Sequence, residues 1–264
     1  MKLKKILTLG LISALSLSII GCTSSKEDNK IVVGASSTPH AEILEVIKPQ
    51  LEKEGYKLEI KVFDDYITPN TALEEGSLDA NYFQHVSYLE ETIASTGYKL
   101  VEVEKIHLEP MGLYSDKVKS VNEIADGSTI AIPNDPSNGA RALKLLAKEG
   151  LIEIKDGDLI GAKDITKNPK NIKVKELEAA QLPSVLNEVE AAVINTNYAL
   201  SANLNPTKDA IAIESKNSPY ANIVAVKEEN KDSEKTKALS KALISKEVKE
   251  FIETKYKGSI IPSF

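Results

Sequence analysis

Arg141 is the only arginine in a chain of 264 residues; every other long cationic side chain is a lysine. It lies in "NDPSNGARALKLL", where a helix is expected to begin near Pro136 to Asn138. Arg141 then sits in the first turns, close to backbone N–H groups that have no intrahelical partner and carry partial positive charge. A guanidinium adds a planar fork that can grip a carboxylate with two bonds, which lysine cannot copy. The residue type therefore points to a ligand carboxylate, with a structural ion pair as the plain alternative.

A second concentration is "NYFQHVSYLEE" (Asn81 to Glu91). Phe83, His85 and Tyr88 fall at a strand-to-helix junction, and Tyr66, after "VFDD", can add a ring. With no tryptophan and four phenylalanines in the chain, these rings beside a histidine are out of proportion. Aromatics lining a slot suit an apolar or thioether side chain, because sulfur contacts ring edges favourably. Core packing is the ordinary explanation of such a cluster. Asn195 and Asn197 end "AAVINTN", and Asn222 opens "ANIVAV". Side-chain amides donate and accept at once, which suits a zwitterion; loop capping is the alternative for any one of them.

Other chemistries find less support. The three histidines, His40, His85 and His107, are far apart and no histidine-rich acidic loop is present, so no metal site is expected. There is no G-x-S-x-G elbow, no glycine-rich phosphate loop and no assignable carboxylate pair. Neither catalysis nor a cofactor is expected. The runs "EVEKIHLE" and "EENKDSEK" read as solvated faces. A formal net charge of −6 argues against nucleic acid as a partner.

These residues need elements to position them. "KIVVGASS" and "YKLEIKVF" read as strands flanking the helix "TPHAEILEVIKPQLEKEGY", with Thr38 as N-cap, Pro39 in the first turn and Pro49 as a kink or stop. Strand, helix, strand implies a parallel βαβ unit. "TPNTALEEGSLDANYFQH" reads as a short helix, a turn at Gly76 and a short strand, and "VSYLEETIASTG" as an amphipathic helix closed by Gly97. "YKLVEVEKIHLEPMGLY" is long and extended, able to bridge two lobes. A second set follows: strand "STIAIPND", helix "PSNGARALKLLAKEG", strand "KNIKVKELEA", helix "QLPSVLNEV", strand "EAAVINT". Another strand, "ANIVAVKEE", and two helices close the chain. The expectation is an α/β protein of two lobes with a cleft between them, where ligands of such folds bind.

At the N-terminus, Lys2, Lys4 and Lys5 precede an apolar run too short for a membrane span. It ends in "SIIGC", which resembles a bacterial lipobox with cleavage before a lipidated Cys22. Residues 1–22 then form a lipoprotein signal peptide, and 23–30 a flexible tether. Stable anchoring uses more than one acyl chain.

The lipobox, "FDDYITPNTALEEGSLDANYFQH", "IAIPNDPSNGARALKLL", "AAVINTNYA" and "SPYANIVAV", in this order, resemble the methionine-binding lipoproteins of the MetQ/NlpA family. These are substrate-binding proteins of ABC importers. The resemblance implies a two-lobed, periplasmic-binding-protein-like (type II) α/β fold, with residues 31–110 and 223–264 in one lobe and 111–222 in the other. It implies that Tyr66, Phe83, His85 and Tyr88 line a side-chain pocket and that Arg141 grips the ligand carboxylate. Asn195 and Asn222 would fix the backbone polar groups, with Asn197 as a further contributor. The implied ligand is methionine, L-methionine first; D-methionine, a methionine-containing dipeptide or another small amino-acid-like solute are the alternatives. The implied partners are an ABC permease with its ATPase subunits and, through the lipid, the outer face of the cell membrane. A monomer is the simplest expectation.

Overall fold

The computed structural model describes residues 29–264. The signal peptide, Cys22 and nearly all of the tether lie outside those residues.

The chain opens with β1 (Lys30–Ala35), α1 (Glu42–Lys53) and β2 (Lys57–Val62), and β1 and β2 pair in parallel as the βαβ pattern requires. Helix α1 starts later than expected. Thr38 is extended (φ −130, ψ 133), and a wide turn follows, closed by the Ala41 N–H on the Ser36 carbonyl at 3.0 Å. The Thr38 hydroxyl donates to the Glu42 carboxylate at 3.1 Å rather than capping a helix N–H. Pro49 stays inside α1. Its missing hydrogen bond is outweighed by the buried stripe of Ile43, Leu44, Ile47 and Leu51.

Next come α2 (Thr68–Glu74), β3 (Ala80–His85), α3 (Val86–Thr96) and β4 (Leu100–Leu108). The chain then leaves this sheet through Glu109–Met111. A second sheet forms from β5 (Gly112–Tyr114), β6 (Thr129–Pro133), β9 (Lys173–Leu177), β10 (Ala191–Ile194) and β11 (Ala212–Ile213), in the order β11-β5-β10-β6-β9. Helix α4 (Pro136–Lys148) follows β6, a small pair β7 (Glu153–Ile154) and β8 (Ile165–Lys167) follows α4, and α5 (Thr196–Ser201) follows β10. The segment read as helix "QLPSVLNEV" is instead 3₁₀ over Ala179–Val185, with Pro183 inside it. Proline lacks the N–H that a longer α-helix would need there.

The chain crosses back and enters the first sheet as β12 (Ala221–Lys227), followed by α6 (Glu234–Leu243), α7 (Lys246–Tyr256) and β13 (Ile261–Pro262). The first sheet reads β13-β4-β12-β3-β1-β2. The boundary expected between residues 222 and 223 falls inside β12, which puts Asn222 on the first sheet. The run Glu102–Glu109 is only half a solvated face. Ile106, His107, Leu108 and Glu109 are buried, because β13 pairs with Leu108 and His107 and covers that end of β4.

Each sheet carries its own core. The first gathers β1, α1, α6 and α7 around Leu44, Ile47 and Leu239; the second packs α4 on β6 and β10 through Leu143, Leu146 and Val193. The two-lobed α/β fold is thus two packed sheets joined by two short crossings. One irregularity serves the space between them. In the β12–β3 pairing, Ile223 faces Gln84 and Val224 faces Tyr82, so Phe83 is skipped. Such a bulge re-aims a side chain.

Gly112, just past the first crossing, has no room for a methyl group. A Cβ there would stand 2.7 Å from the Tyr114 ring, which is fully buried. Gly112→Ala is expected to cost about 1–3 kcal/mol through overpacking, read as a lower urea midpoint at unchanged m-value; an unaltered midpoint would contradict this packing.

Candidate ligand site

Tyr66, Phe83, His85, Tyr88, Arg141, Asn195 and Asn222 line one cavity, together with Asn197. The space between its atoms, open solvent included, is about 340 Å³. Gln84, Glu109, Asn138 and Thr196 complete the wall and were not singled out from sequence.

One wall is aromatic. The Tyr66 ring lies 5.9 Å from Phe83 and 5.8 Å from Tyr88, and Phe83 lies 6.1 Å from Tyr88. These are ordinary separations for attractive ring pairs. The Tyr88 hydroxyl donates to the Tyr66 carbonyl at 3.0 Å. Below them Asn70, Asn81 and Gln84 exchange four amide hydrogen bonds of 2.7–3.0 Å. That buried triad ties α2 to β3 and so fixes the loop bearing Tyr66.

The lobes touch at the mouth. The Tyr66 hydroxyl donates to Asn197 Oδ1 at 2.5 Å, and the Tyr198 hydroxyl donates to the Asp64 carbonyl at 3.0 Å. The rings of Tyr66 and Tyr198 lie 4.9 Å apart, tilted by 38°.

The polar wall has a direction. Asp135 caps α4 by accepting the Asn138 N–H at 2.9 Å, and it also takes the Asn138 side-chain NH2 at 3.0 and 3.1 Å. The Asn138 amide is thereby oriented with its oxygen outward. That oxygen faces Asn195 Nδ2 at 2.8 Å and His85 Nε2 at 3.2 Å. His85 Nδ1 accepts the Tyr88 N–H, so Nε2 carries the proton and donates. Asn195 uses one hydrogen of its NH2 in this bond, and its Oδ1 is buried with no hydrogen-bond partner among the described residues. An unpaired buried acceptor is costly. Asn195 is itself one of the residues that line the cavity.

Arg141 is 3 % exposed, and its geometry corrects the simple fork reading. Its Nε donates to Glu214 Oε1 at 3.0 Å, Nη2 bonds Glu214 Oε2, and Nη2 also donates to the Glu109 carbonyl at 2.6 Å. The two-bond edge is thus taken by a carboxylate of the protein itself. Nη1 makes no hydrogen bond among the described residues and is the edge left for a ligand. The guanidinium also lies 4.6 Å above the Tyr220 ring, an attractive cation–π contact.

His40 and His107, which do not line the cavity, converge on Glu109, with candidate metal-ligating atoms all within 4.8 Å of one another. Hydrogen bonds account for this grouping. His107 Nε2 faces Glu109 Oε1 at 2.8 Å, and His107 Nδ1 takes the Tyr82 hydroxyl. His40 Nε2 lies 2.9 Å from Asn222 Oδ1 and 3.3 Å from Glu109 Oε1. Burial, which penalises charge, pulls the histidines down, His40 to about 4 and His85 and His107 to about 3. It pushes the Glu109 and Asp135 carboxyls up.

The NlpA lipoprotein family model matches residues 31–264. The chain belongs to the NlpA lipoprotein family. It is 46% identical over 253 residues to the methionine-binding lipoprotein MetQ of Bacillus subtilis, covering 92% of this chain and 90% of that one. It is 45% identical over 252 residues to the D-methionine-binding lipoprotein MetQ of Salmonella typhi, with 93% of each chain covered. Among solved structures, a nutrient-binding protein from Burkholderia cenocepacia bound to methionine superposes with a TM-score of 0.86 at 49% identity, over 89% of this chain and all of that one. Other family members likewise carry the name lipoprotein.

The buried histidines of this family member make a pH prediction. They are neutral when folded but titrate near 6.5 when unfolded, so between pH 6.5 and about 4 the unfolded chain binds more protons. Stability then falls as pH falls through that window, by up to about 1.4 kcal/mol per pH unit for each histidine. The raised carboxyls Glu91, Glu109 and Asp135 act in the opposite sense, while Glu42 and Asp65, held below the usual carboxylate range, add to the loss on acidification. Thermal unfolding across pH 7 to 4 is expected to show a steadily declining midpoint; a flat profile would contradict neutral burial.

Proposed function

We infer that this lipoprotein is the substrate-binding component of an ABC importer and that its ligand is methionine, L-methionine first. The observation that carries the reading is the polarity of the cavity's ends. Arg141 Nη1 and the Asn222 side chain offer donors suited to a carboxylate. The orphaned Asn195 oxygen offers an acceptor suited to an ammonium group. The Tyr66, Phe83 and Tyr88 rings offer a slot for an unbranched thioether. The relatives named above bind, by their names, methionine or D-methionine.

In this reading the residues serve binding, with no chemistry of their own. Ligand enters between lobes comprising residues 31–110 with the chain's end, and the segment between the two crossings. Contacts to both lobes favour closure, and the closed form docks on a permease that works with ATPase subunits. Cys22 carries the lipid that holds the protein, as a monomer, on the outer face of the cell membrane. What supports closure as the switch is the pair of bonds at the mouth, Tyr66 to Asn197 and Tyr198 to Asp64, which join one lobe to the other.

The test is calorimetry on residues 23–264, unfolded and refolded to strip carried ligand, then titrated with L-methionine, D-methionine and a methionine dipeptide. One-to-one binding of L-methionine is expected. Arg141→Lys should weaken it at least about tenfold, since charged hydrogen bonds contribute roughly 1.5–3 kcal/mol. An affinity within about twofold of the parent would remove Arg141 from the site, and no heat with any of the three ligands would sink the methionine reading.

A further inference from the structure

His40 is 1 % exposed and does not line the cavity, yet it touches a residue that does. We propose that His40 is a positioning residue: its Nε2–H holds the Asn222 carbonyl oxygen from behind and turns the Asn222 NH2 toward the ligand carboxylate. The proposal rests on the methionine reading above and adds to it a residue outside the cavity wall.

The argument is one of proton placement. An asparagine amide can face either way, and the hydrogen bonds around it decide which. Asn222 has one partner among the described residues, His40 Nε2 at 2.9 Å. If that nitrogen were bare, it would face the Glu109 carboxyl oxygen at 3.3 Å lone pair to lone pair. Its proton would then sit on Nδ1, which is buried with no partner, so a donor would be stranded in the core at high cost. With the proton on Nε2, the same hydrogen serves Asn222 Oδ1 and leans toward Glu109, and only a weaker acceptor is left unpaired.

The neighbours fit this choice. With the Tyr82 hydroxyl donating to His107 Nδ1, His107 Nε2 carries a proton toward Glu109 Oε1 at 2.8 Å. Glu109 Oε1 is then an acceptor, and His40 meets it as a donor. A flipped Asn222 would set its NH2 against the His40 N–H, donor against donor. The polarity of the carboxylate subsite is thus set by a relay running from Tyr82 through His107, Glu109 and His40 to Asn222.

Two measurements test this. Imidazole nitrogen NMR shifts of the refolded wild-type protein should show His40 as the Nε2–H tautomer with bare Nδ1. An Nδ1–H tautomer, or a metal ion bound to Nε2, would overturn the proposal. The second compares methionine with methioninamide, whose carboxamide NH2 can donate where a carboxylate cannot. In His40→Leu the Asn222 amide is free to turn, and the preference for methionine over methioninamide should fall roughly tenfold or more. In His40→Gln, whose side-chain NH2 reaches the former Nε2 position, the preference should return. If His40→Leu weakened both ligands by the same factor, His40 would be a packing residue only and the proposal would fail. If wild type bound neither ligand, the methionine reading would fall, and the tautomer would still decide whether His40 orients Asn222.

Discussion

Glu109 is where the polar interior of this protein is balanced. Its carboxyl group faces a histidine pair packed in the first lobe, at 2.8 and 3.3 Å, while its backbone carbonyl takes Arg141 from the second. It sits in the first crossing between the sheets. A buried acidic group is tolerated only when donors surround it, and here those donors come from both lobes. The position of Arg141, the orientation of Asn222 and the route of the crossing are consequences of satisfying one carboxyl group and one carbonyl in the same residue.

The second crossing is tied to the first by the same logic. The Met111 N–H donates to the Glu214 carboxylate at 3.2 Å, and the Glu214 N–H returns a bond to the Met111 carbonyl at 2.9 Å. Arg141 then binds the Glu214 side chain. One guanidinium is therefore in contact with both crossings at once. Any contact made at its remaining edge acts on a group already attached to the strands that connect the lobes, so ligand binding and lobe geometry share a side chain.

The residue types that are rare in this chain were legible without a structure. A solitary arginine and crowded rings stand out because nothing else in the composition resembles them, and both line the cavity. The βαβ unit was legible because apolar periodicity and strand length agree. Glu109 was hidden by its surroundings: in "EVEKIHLE" an acid at an alternating position looks solvated, and two of the groups that face it, His40 and Arg141, lie far away in the sequence. Arg141 could be found, but not Glu214, 73 residues away. Asn138 looked like one more residue of a helix start, and Gln84 like one more residue of a strand. Their roles come from which way an amide points, which depends on partners distant in sequence.

The order of strands in the first sheet bears on how the chain is made. Its central member β12, between β4 and β3, is built from residues 221–227, after the whole second lobe. The second sheet uses one continuous stretch of chain. During synthesis the second lobe can therefore complete its sheet while the first still lacks its middle strand, leaving β3 and β4 without their shared neighbour. Unpaired strand edges are sites of wrong pairing. The N-terminal lobe, made first, is the one that finishes last, and its exposed edges are the period of greatest risk in the life of this polypeptide.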